Sequence, residues 1–296
     1  MDTEGRLERY RDADRWPTGE SLAAMLDNQF AALAAVRGAL PQLAAAARAA
    51  AARLGDGSGR LVYVGAGASG RLAVQDGVEL HPTFGWPHDR LAYLMAGGEV
   101  ALVRSLEGAE DDAEAGRAAV EALRPGREDV LIAVAASGAT AFTRAAQGAA
   151  RAAGALTIGI ANNPDAPLLA EAEIPVLLHT GPEFLTGSTR MTAGTAQKIA
   201  LNLLSTQLMI ELGRVYQGLM VNVAPANAKL VQRSHRIVQA ITGCSSEAAT
   251  AAWETAGRDI RLAVLLIDGL DPETAQARLA AAKGDLRRAR PVHPSR

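Results

Sequence analysis

The chain has a single cysteine in 296 residues, no long apolar run and no surplus of positive charge, and each shortage removes a class of protein. Cys244 alone cannot form an internal disulfide, so a disulfide framework is excluded and a reducing compartment is expected. The five histidines, at positions 81, 88, 179, 235 and 293, are scattered, with no His or Cys pair at metal-ligand spacing. No bound metal is expected from them. The longest apolar-looking run, Leu43 to Leu54, is mostly alanine and is broken by Arg48 and Arg53. It is too short and too charged to cross a bilayer. The stretch from Asp2 to Arg15 is charged and lacks the apolar centre of a secretion signal, which, with the lone cysteine, points to the cytoplasm. Thirty Lys and Arg stand against 32 Asp and Glu, a net charge of −2. With no basic stretch carrying interleaved aromatics, nucleic acid is not an expected partner. What is left is a globular chain, 49% hydrophobic, long enough to bury a full core in one large domain with a small appendage.

Read along its length, the chain begins with a polar arm, residues 1–17, that needs other surfaces to pack on. Ser21 to Leu54 is rich in Ala and Leu and predicts one or two long helices. Strand-like runs follow at Arg60 to Val64, Leu91 to Met95, Asp129 to Val134, Leu156 to Ile160 and Ile174 to Leu178. Helical stretches alternate with them, at Ser69 to Glu79, Val100 to Leu106, Asp112 to Leu123 and Ala139 to Ala153. Short apolar strands alternating with helices predict an α/β fold, a doubly wound and mostly parallel sheet covered on both faces. A long helix is expected from Thr192 to Leu212, then a linking loop from Leu219 to Ala224. Four helices, 229–242, 245–256, 258–267 and 272–288, punctuated by Gly243, Gly257 and Gly269, make a small C-terminal helical subdomain. The domain boundaries expected are 1–56 for the arm and first helices, 57–222 for the sheet domain and 223–296 for the helical tail.

One internal echo stands out. LVYVGAGASGRLA (61–73) and DVLIAVAASGATAF (129–142) are each a strand, an Ala-Ser-Gly turn and a helix start. In a doubly wound sheet such turns lie at the carboxyl ends of strands, where ligands bind. Gly65-Ala66-Gly67-Ala68-Ser69-Gly70 meets the G-x-G-x-x-G dinucleotide pattern, which is weak by itself. The acid that would hold a ribose is missing, because the next strand ends at Met95 and runs into Ala96-Gly97-Gly98. No G-x-x-x-x-G-K-[ST] occurs either, so no nucleotide cofactor is expected. A compact anion fits better. A Gly-rich turn ahead of a helix offers free N–H groups, the positive dipole end and a hydroxyl. Ser69 on the first turn, and Ser137 and Thr140 on the second, would hold a phosphorylated small molecule from two sides. Either turn alone reads equally well as turn and N-cap residues; the duplication favours binding. Glu79 in VQDGVELHPTFGW, and Glu107, Glu110 and Asp111 in LEGAED, are by composition a solvated helix end and a surface cap cluster. Thr189 and Arg190, within Ser188-Thr189-Arg190, precede the long helix and offer a hydroxyl and a cation.

GRLVYVGAGASGRLAVQD (59–76), GVELHPTFG (77–85), AGGEVALVRSLEGAEDD (96–112), AASGAT (135–140), TGSTRMTAGTAQKIALNLLST (186–206), GLMVNV (218–223) and ITGCSSEAA (241–249) together resemble the N-acetylmuramic acid 6-phosphate etherases, a family of the sugar isomerase (SIS) superfamily. The resemblance runs nearly end to end. It departs at Ala68, where many relatives have Thr, at Thr192, where they have Lys, and at Leu80-His81, where they have Cys-Pro. It implies a SIS fold, a carbon–oxygen lyase without cofactor, and a phosphorylated amino sugar as substrate. It implies Glu79 and Glu110 as the two catalytic carboxylates, and Gly67, Ser69, Gly70, Ser137, Thr140, Thr189 and Arg190 as the residues that position phosphate and sugar. It also implies a homodimer, and a ubiquitin-associated-like bundle for the tail. Asn222, Asn227 and Lys229 read better as a structural linker than as site residues. Three rivals share parts of this pattern: a sugar-phosphate sensor without turnover, an aldose–ketose isomerase, and a DNA-binding repressor with a sugar-sensing domain. The repressor would need a basic helix-turn-helix, which the Ala-rich segment from Ser21 to Leu54 does not offer.

Overall fold

The structure is a computed structural model that describes residues 2–55, 57–223, 225 and 227–290; His293 and Ala224 lie outside them. Two helices open the ordered elements, α1 (Thr18–Gly38) and α2 (Leu40–Leu54), with Pro41 in the first turn of α2, where its missing N–H costs nothing. The alternation then runs β1 (Leu61–Gly65), α3 (Gly67–Val78), α4 (Leu80–Phe84), β2 (Leu91–Met95), α5 (Val100–Val103), α6 (Ala113–Leu123), β3 (Val130–Val134), α7 (Ala141–Ala152), β4 (Leu156–Ala161), α8 (Pro167–Glu171) and β5 (Ile174–Leu177). It continues with α9 (Thr192–Glu211), the two-residue strands β6 (Val215–Tyr216) and β7 (Leu219–Met220), and α10 (Ala228–Thr242), α11 (Ser246–Thr255), α12 (Ile260–Ile267), α13 (Pro272–Ala281) and α14 (Leu286–Ala289).

The chain divides into two compact units: residues 1–77 with 89–207, and residues 78–88 with 208–296. The first holds a five-stranded, all-parallel sheet in the order β2-β1-β3-β4-β5. β1, β3 and β4 are buried at every position, as expected for apolar runs with helices on both faces, while the edge strand β2 is mostly half-buried. Gly65 pairs with Val134, so the segments after β1 and β3 leave the sheet side by side. The strand order reverses direction between these two strands. A topological switch point therefore lies between the twin turns, the place where ligands of open parallel sheets bind.

The arm is less extended than its composition suggests. Its short helical turns at Asp2–Glu4, Glu8–Tyr10 and Ala13–Arg15 pack within the first unit. Thr3 is fully buried and exchanges hydrogen bonds with Asn163, which follows β4, while Asp2 reaches His179 beyond β5 at 2.8 Å. The Tyr10 ring lies 4.6 Å from that of Phe184.

In the second unit the helices from α10 onward each have a chemical start. Asn227, Ser245, Asp259, Asp271 and Asp285 accept N–H bonds at the N-caps of α10 to α14. Trp253, Ile260, Val264, Leu265 and Leu286 fill its core. The expected helix 272–288 is instead α13 and α14, because Lys283 and Gly284 take positive φ (53° and 82°) and stop the first. The expected loop from Leu219 is instead the second half of a hairpin: β6 and β7 pair across Gln217 and Gly218, both at positive φ, as a tight two-residue turn requires.

Candidate active site

The first turn leads from β1 into α3, and the first helical bond runs from the Gly70 N–H to the Ala66 carbonyl. The N–H groups of Gly67, Ala68 and Ser69 thus lie ahead of the helical ladder, at the positive end of a twelve-residue helix. Gly67 takes φ +53° and is half open. Gly70 has another task. A Cβ there would lie 2.5 Å from Met95 Sδ and 2.7 Å from the Gly65 backbone, so it permits the close approach of α3 to the sheet and, being buried, is poorly placed to touch a ligand. Ser69 is also buried. The second turn repeats the plan: α7 begins after Thr140, which makes no side-chain cap bond, while the Ser137 hydroxyl accepts from the Ala139 N–H at 3.1 Å. Ser137 and Thr140 are both half-buried, and Gly138, at φ +67°, sits against Ala166 where no side chain fits.

A cavity of about 230 Å³ opens beside the first turn. Ala66, Gly67, Arg71, Glu107 and Glu110 are among the residues that line it. Its volume falls below the roughly 300–1,000 Å³ of complete small-ligand pockets, so it fits part of a sugar phosphate. In the acidic segment the capping task falls to Asp112, which accepts from the Ala115 N–H at 2.9 Å. Glu110, exposed in the turn Ala109–Asp111, is left free to face the cavity. Arg71, which sequence reasoning missed, fastens this segment from α3: Nε donates to the Ala101 and Leu102 carbonyls at 2.9 and 3.2 Å, and a terminal nitrogen donates to the Arg104 carbonyl at 3.0 Å. Its signal was an arginine one residue past a Gly-rich turn, at the fifth position of the helix.

Glu79 belongs to the second unit and lies just beyond α3 rather than within it. It is exposed, stands at the N-cap of α4, and its carbonyl accepts from the Thr83 N–H at 3.2 Å. α4 ends on Gly85 at φ +60°, and Arg214 holds the Phe84 and Gly85 carbonyls at 2.9 and 3.0 Å while its guanidinium lies over the Trp86 ring. The segment that carries Glu79 is thereby pinned at its far end.

The third helix start is already occupied. Glu183, fully buried, accepts from the Thr192 and Ala193 N–H groups at 2.8 and 2.9 Å, so the N-terminus of α9 is filled by a carboxylate of its own chain. Thr189 and Arg190 do not stand at an open anion site; they can contribute only through their side chains, half-buried and exposed respectively. Behind the first turn, Asp76 is buried among the hydroxyls of Tyr63 (3.0 Å) and Ser205 (3.2 Å) and the Asn202 amide (2.6 Å). Burial raises its pKa above the usual carboxylate range, against the lowering effect of those donors. Asn227 serves as the α10 cap. Among the described residues, no group of three or more His, Cys, Asp or Glu is arranged to hold a metal.

Comparison with known proteins decides the family. The chain is 52% identical to an N-acetylmuramic acid 6-phosphate etherase of Deinococcus radiodurans over 94% of its own length and 91% of the relative's. It belongs to the N-acetylmuramic acid 6-phosphate etherase family. Etherases of Mesorhizobium japonicum and Cutibacterium acnes are each 43% identical, the alignments covering 97% and 96% of this chain and 94% of each relative. A family model of the glucokinase regulatory protein N-terminal SIS domain matches residues 42–151, the part of the etherase chain that carries both the first turn and the acidic segment. A phosphoheptose isomerase structure from Francisella tularensis has a TM-score of 0.49 at 16% identity, over 68% of this chain and 100% of that one.

Proposed function

We propose that the protein is a carbon–oxygen lyase that converts N-acetylmuramic acid 6-phosphate to N-acetylglucosamine 6-phosphate and D-lactate. The observation that carries the reading is 52% identity to an etherase over nearly the whole chain, joined to a cavity at the ends of β1 and β2 where an open helix N-terminus and Glu110 meet. In this reading the phosphate lies against the N–H groups of Gly67 and Ala68 and the second turn at Ser137 and Thr140. Thr189 and Arg190 contact the ligand from their side chains. Ser69 and Gly70 shape the first turn from beneath.

The chemistry needs two carboxyl groups. In the open-chain aldehyde, the C2 proton is acidified by the neighbouring carbonyl, and a carboxylate removes it. The electron pair forms the C2–C3 double bond as the C3–O bond breaks, and a carboxylic acid supplies the proton that lets lactate depart. Water then adds at C3 and a proton returns to C2, which restores the sugar. We assign these transfers to Glu79 and Glu110, each worth roughly 10²- to 10⁴-fold in rate. The reading sets the reaction in the cytoplasm, in the recycling of cell-wall amino sugars, with a homodimer as the working form; the lone unpaired Cys244 and the lack of any single helix long and apolar enough to cross a membrane, among the described residues, agree with it.

The test is release of D-lactate from N-acetylmuramic acid 6-phosphate. Glu79→Gln and Glu110→Gln should each abolish release while the phosphosugar still binds. Heavy-oxygen water should label the sugar at C3 and leave lactate unlabelled. Binding without lactate from the parent enzyme, or label only in lactate, would overturn the assignment.

A further inference from the structure

The N-terminal arm ties itself to the end of the sheet where the strands finish, the ligand side of an open parallel sheet. Fully buried Thr3 donates its N–H to Asn163 Oδ1 at 3.1 Å, and its hydroxyl accepts from Asn163 Nδ2 at 3.0 Å. Asn163 passes the contact on. Its Nδ2 also donates to the Ala136 carbonyl at 3.0 Å, which takes a second bond from the Asn162 N–H, again at 3.0 Å. Ala136 directly precedes Ser137, so one buried amide joins the arm to the second turn. The arm also meets the segment between β5 and α9. A Cβ on Gly5 would come within 3.0 Å of Pro182, and the Tyr10 ring packs on Phe184. Further along, a Cβ on Gly187, at φ +75°, would stand 3.1 Å from Glu4 Oε2, two residues before Thr189. Residues 178–191 hold no helix or strand, so outside contacts must fix their path.

We propose that the arm is a brace that positions the second turn and the Thr189–Arg190 segment for the phosphosugar, with Thr3 and Asn163 as its positioning residues. The inference rests on the reading that Ser137, Thr140, Thr189 and Arg190 face the ligand. Groups carried on loops hold a ligand only as firmly as neighbouring contacts hold the loops. Here two ligand-facing loops, which leave different strands, share one neighbour. Core filling does not account for the arm. Among the described residues 2–17, Thr3 and Ala13 alone are buried, and the fully buried one is a threonine with its N–H and hydroxyl both engaged by Asn163. A segment kept for hydrophobic burial would place large apolar side chains inside instead. Ordering the arm costs conformational entropy, and the polar link through Asn163 is the contact that directs that order at the site.

Lactate-release kinetics on the full chain, with calorimetric binding of N-acetylglucosamine 6-phosphate in parallel, test the brace. Thr3→Val removes the hydroxyl at nearly the same shape and should raise both KM and the dissociation constant about threefold to tenfold, with kcat within about twofold of the parent. Circular dichroism and melting should show it folded, and Thr3→Ser should restore both constants. Asn163→Ala cuts the link from the other end and should raise them at least as much. Adding Thr3→Val to Asn163→Ala should change neither constant further, because the two side chains act as one. Arg11→Ala, on an exposed turn of the arm outside the link, should leave both as they are. Parental KM and binding in both Thr3→Val and Asn163→Ala, a fall in kcat alone, or additive losses in the double variant would overturn the proposal. Phosphosugar binding weakened by Thr3→Val in a protein that releases no lactate would support the brace and sink the etherase reading instead.

Discussion

Replacing Glu183 by glutamine changes one atom of a buried side chain and disturbs the start of the longest helix in the sheet-bearing unit's second half. Each carboxylate oxygen accepts one backbone N–H, from Thr192 at 2.8 Å and from Ala193 at 2.9 Å, with the side chain closed off from water. A hydrogen bond to a charged group contributes about 1.5–3 kcal/mol. Glutamine keeps one acceptor, without charge, and turns an amide NH₂ toward the other N–H. The loss of one charged bond and the weakening of the second amount to about 2–4 kcal/mol. Alanine removes both bonds and leaves two buried donors beside a void, about 4–5 kcal/mol, near the limit of single-residue effects. Urea unfolding should be followed by far-UV signal and by hydrogen exchange at the Thr192 and Ala193 amides, because two compact units need not unfold together. The variant amides should exchange faster in step with the lost stability. A glutamine variant within about 0.5 kcal/mol of the parent, an ordinary surface effect, would refute an internal anion at this helix start.

Gly138→Ala forces a Cβ into Ala166 at a positive φ and should cost roughly 2–4 kcal/mol in chemical unfolding. Tyr63→Phe removes one donor to buried Asp76 and should lower stability by about 1–2 kcal/mol while the fold persists by circular dichroism. Burial pushes the Asp129 carboxyl up, but its bonds from Arg60 and Gly126 outweigh that and hold the pKa below the usual value. Its contribution is therefore full above the unfolded value of about 3.9 and disappears as pH falls through the lower folded value; Asp129→Asn should flatten the loss of stability below pH of about 4 in acid titration. Arg71→Lys keeps the charge but not the fork of donors, and should cut lactate release at least about tenfold with little change in melting, the mark of a displaced acidic segment rather than a damaged core.

The sheet was legible because its strands are continuous apolar runs bounded by turns, and periodicity reports that directly. Strands β1 to β5 lie within a residue or two of their expected bounds, and the twin turns fall at the switch point. Shorter elements escaped. The one-turn helices α4 and α8 are too short for a periodic signal, and β6 and β7 have two residues each. Lys283 at positive φ hid the break between α13 and α14, since lysine reads as a helix former. At the site, Ser137 and Gly67 could be found by motif. Glu183 could not, because it acts nine residues from the helix it starts, a distance set by the path of the loop and not by any local pattern.

All three contacts of the Arg71 fork end on main-chain oxygens, at Ala101, Leu102 and Arg104. Such a grip is blind to the identity of the side chains it holds. Substitutions between positions 100 and 106 can therefore reshape the cavity wall while the anchor of the acidic turn to α3 stays as it is.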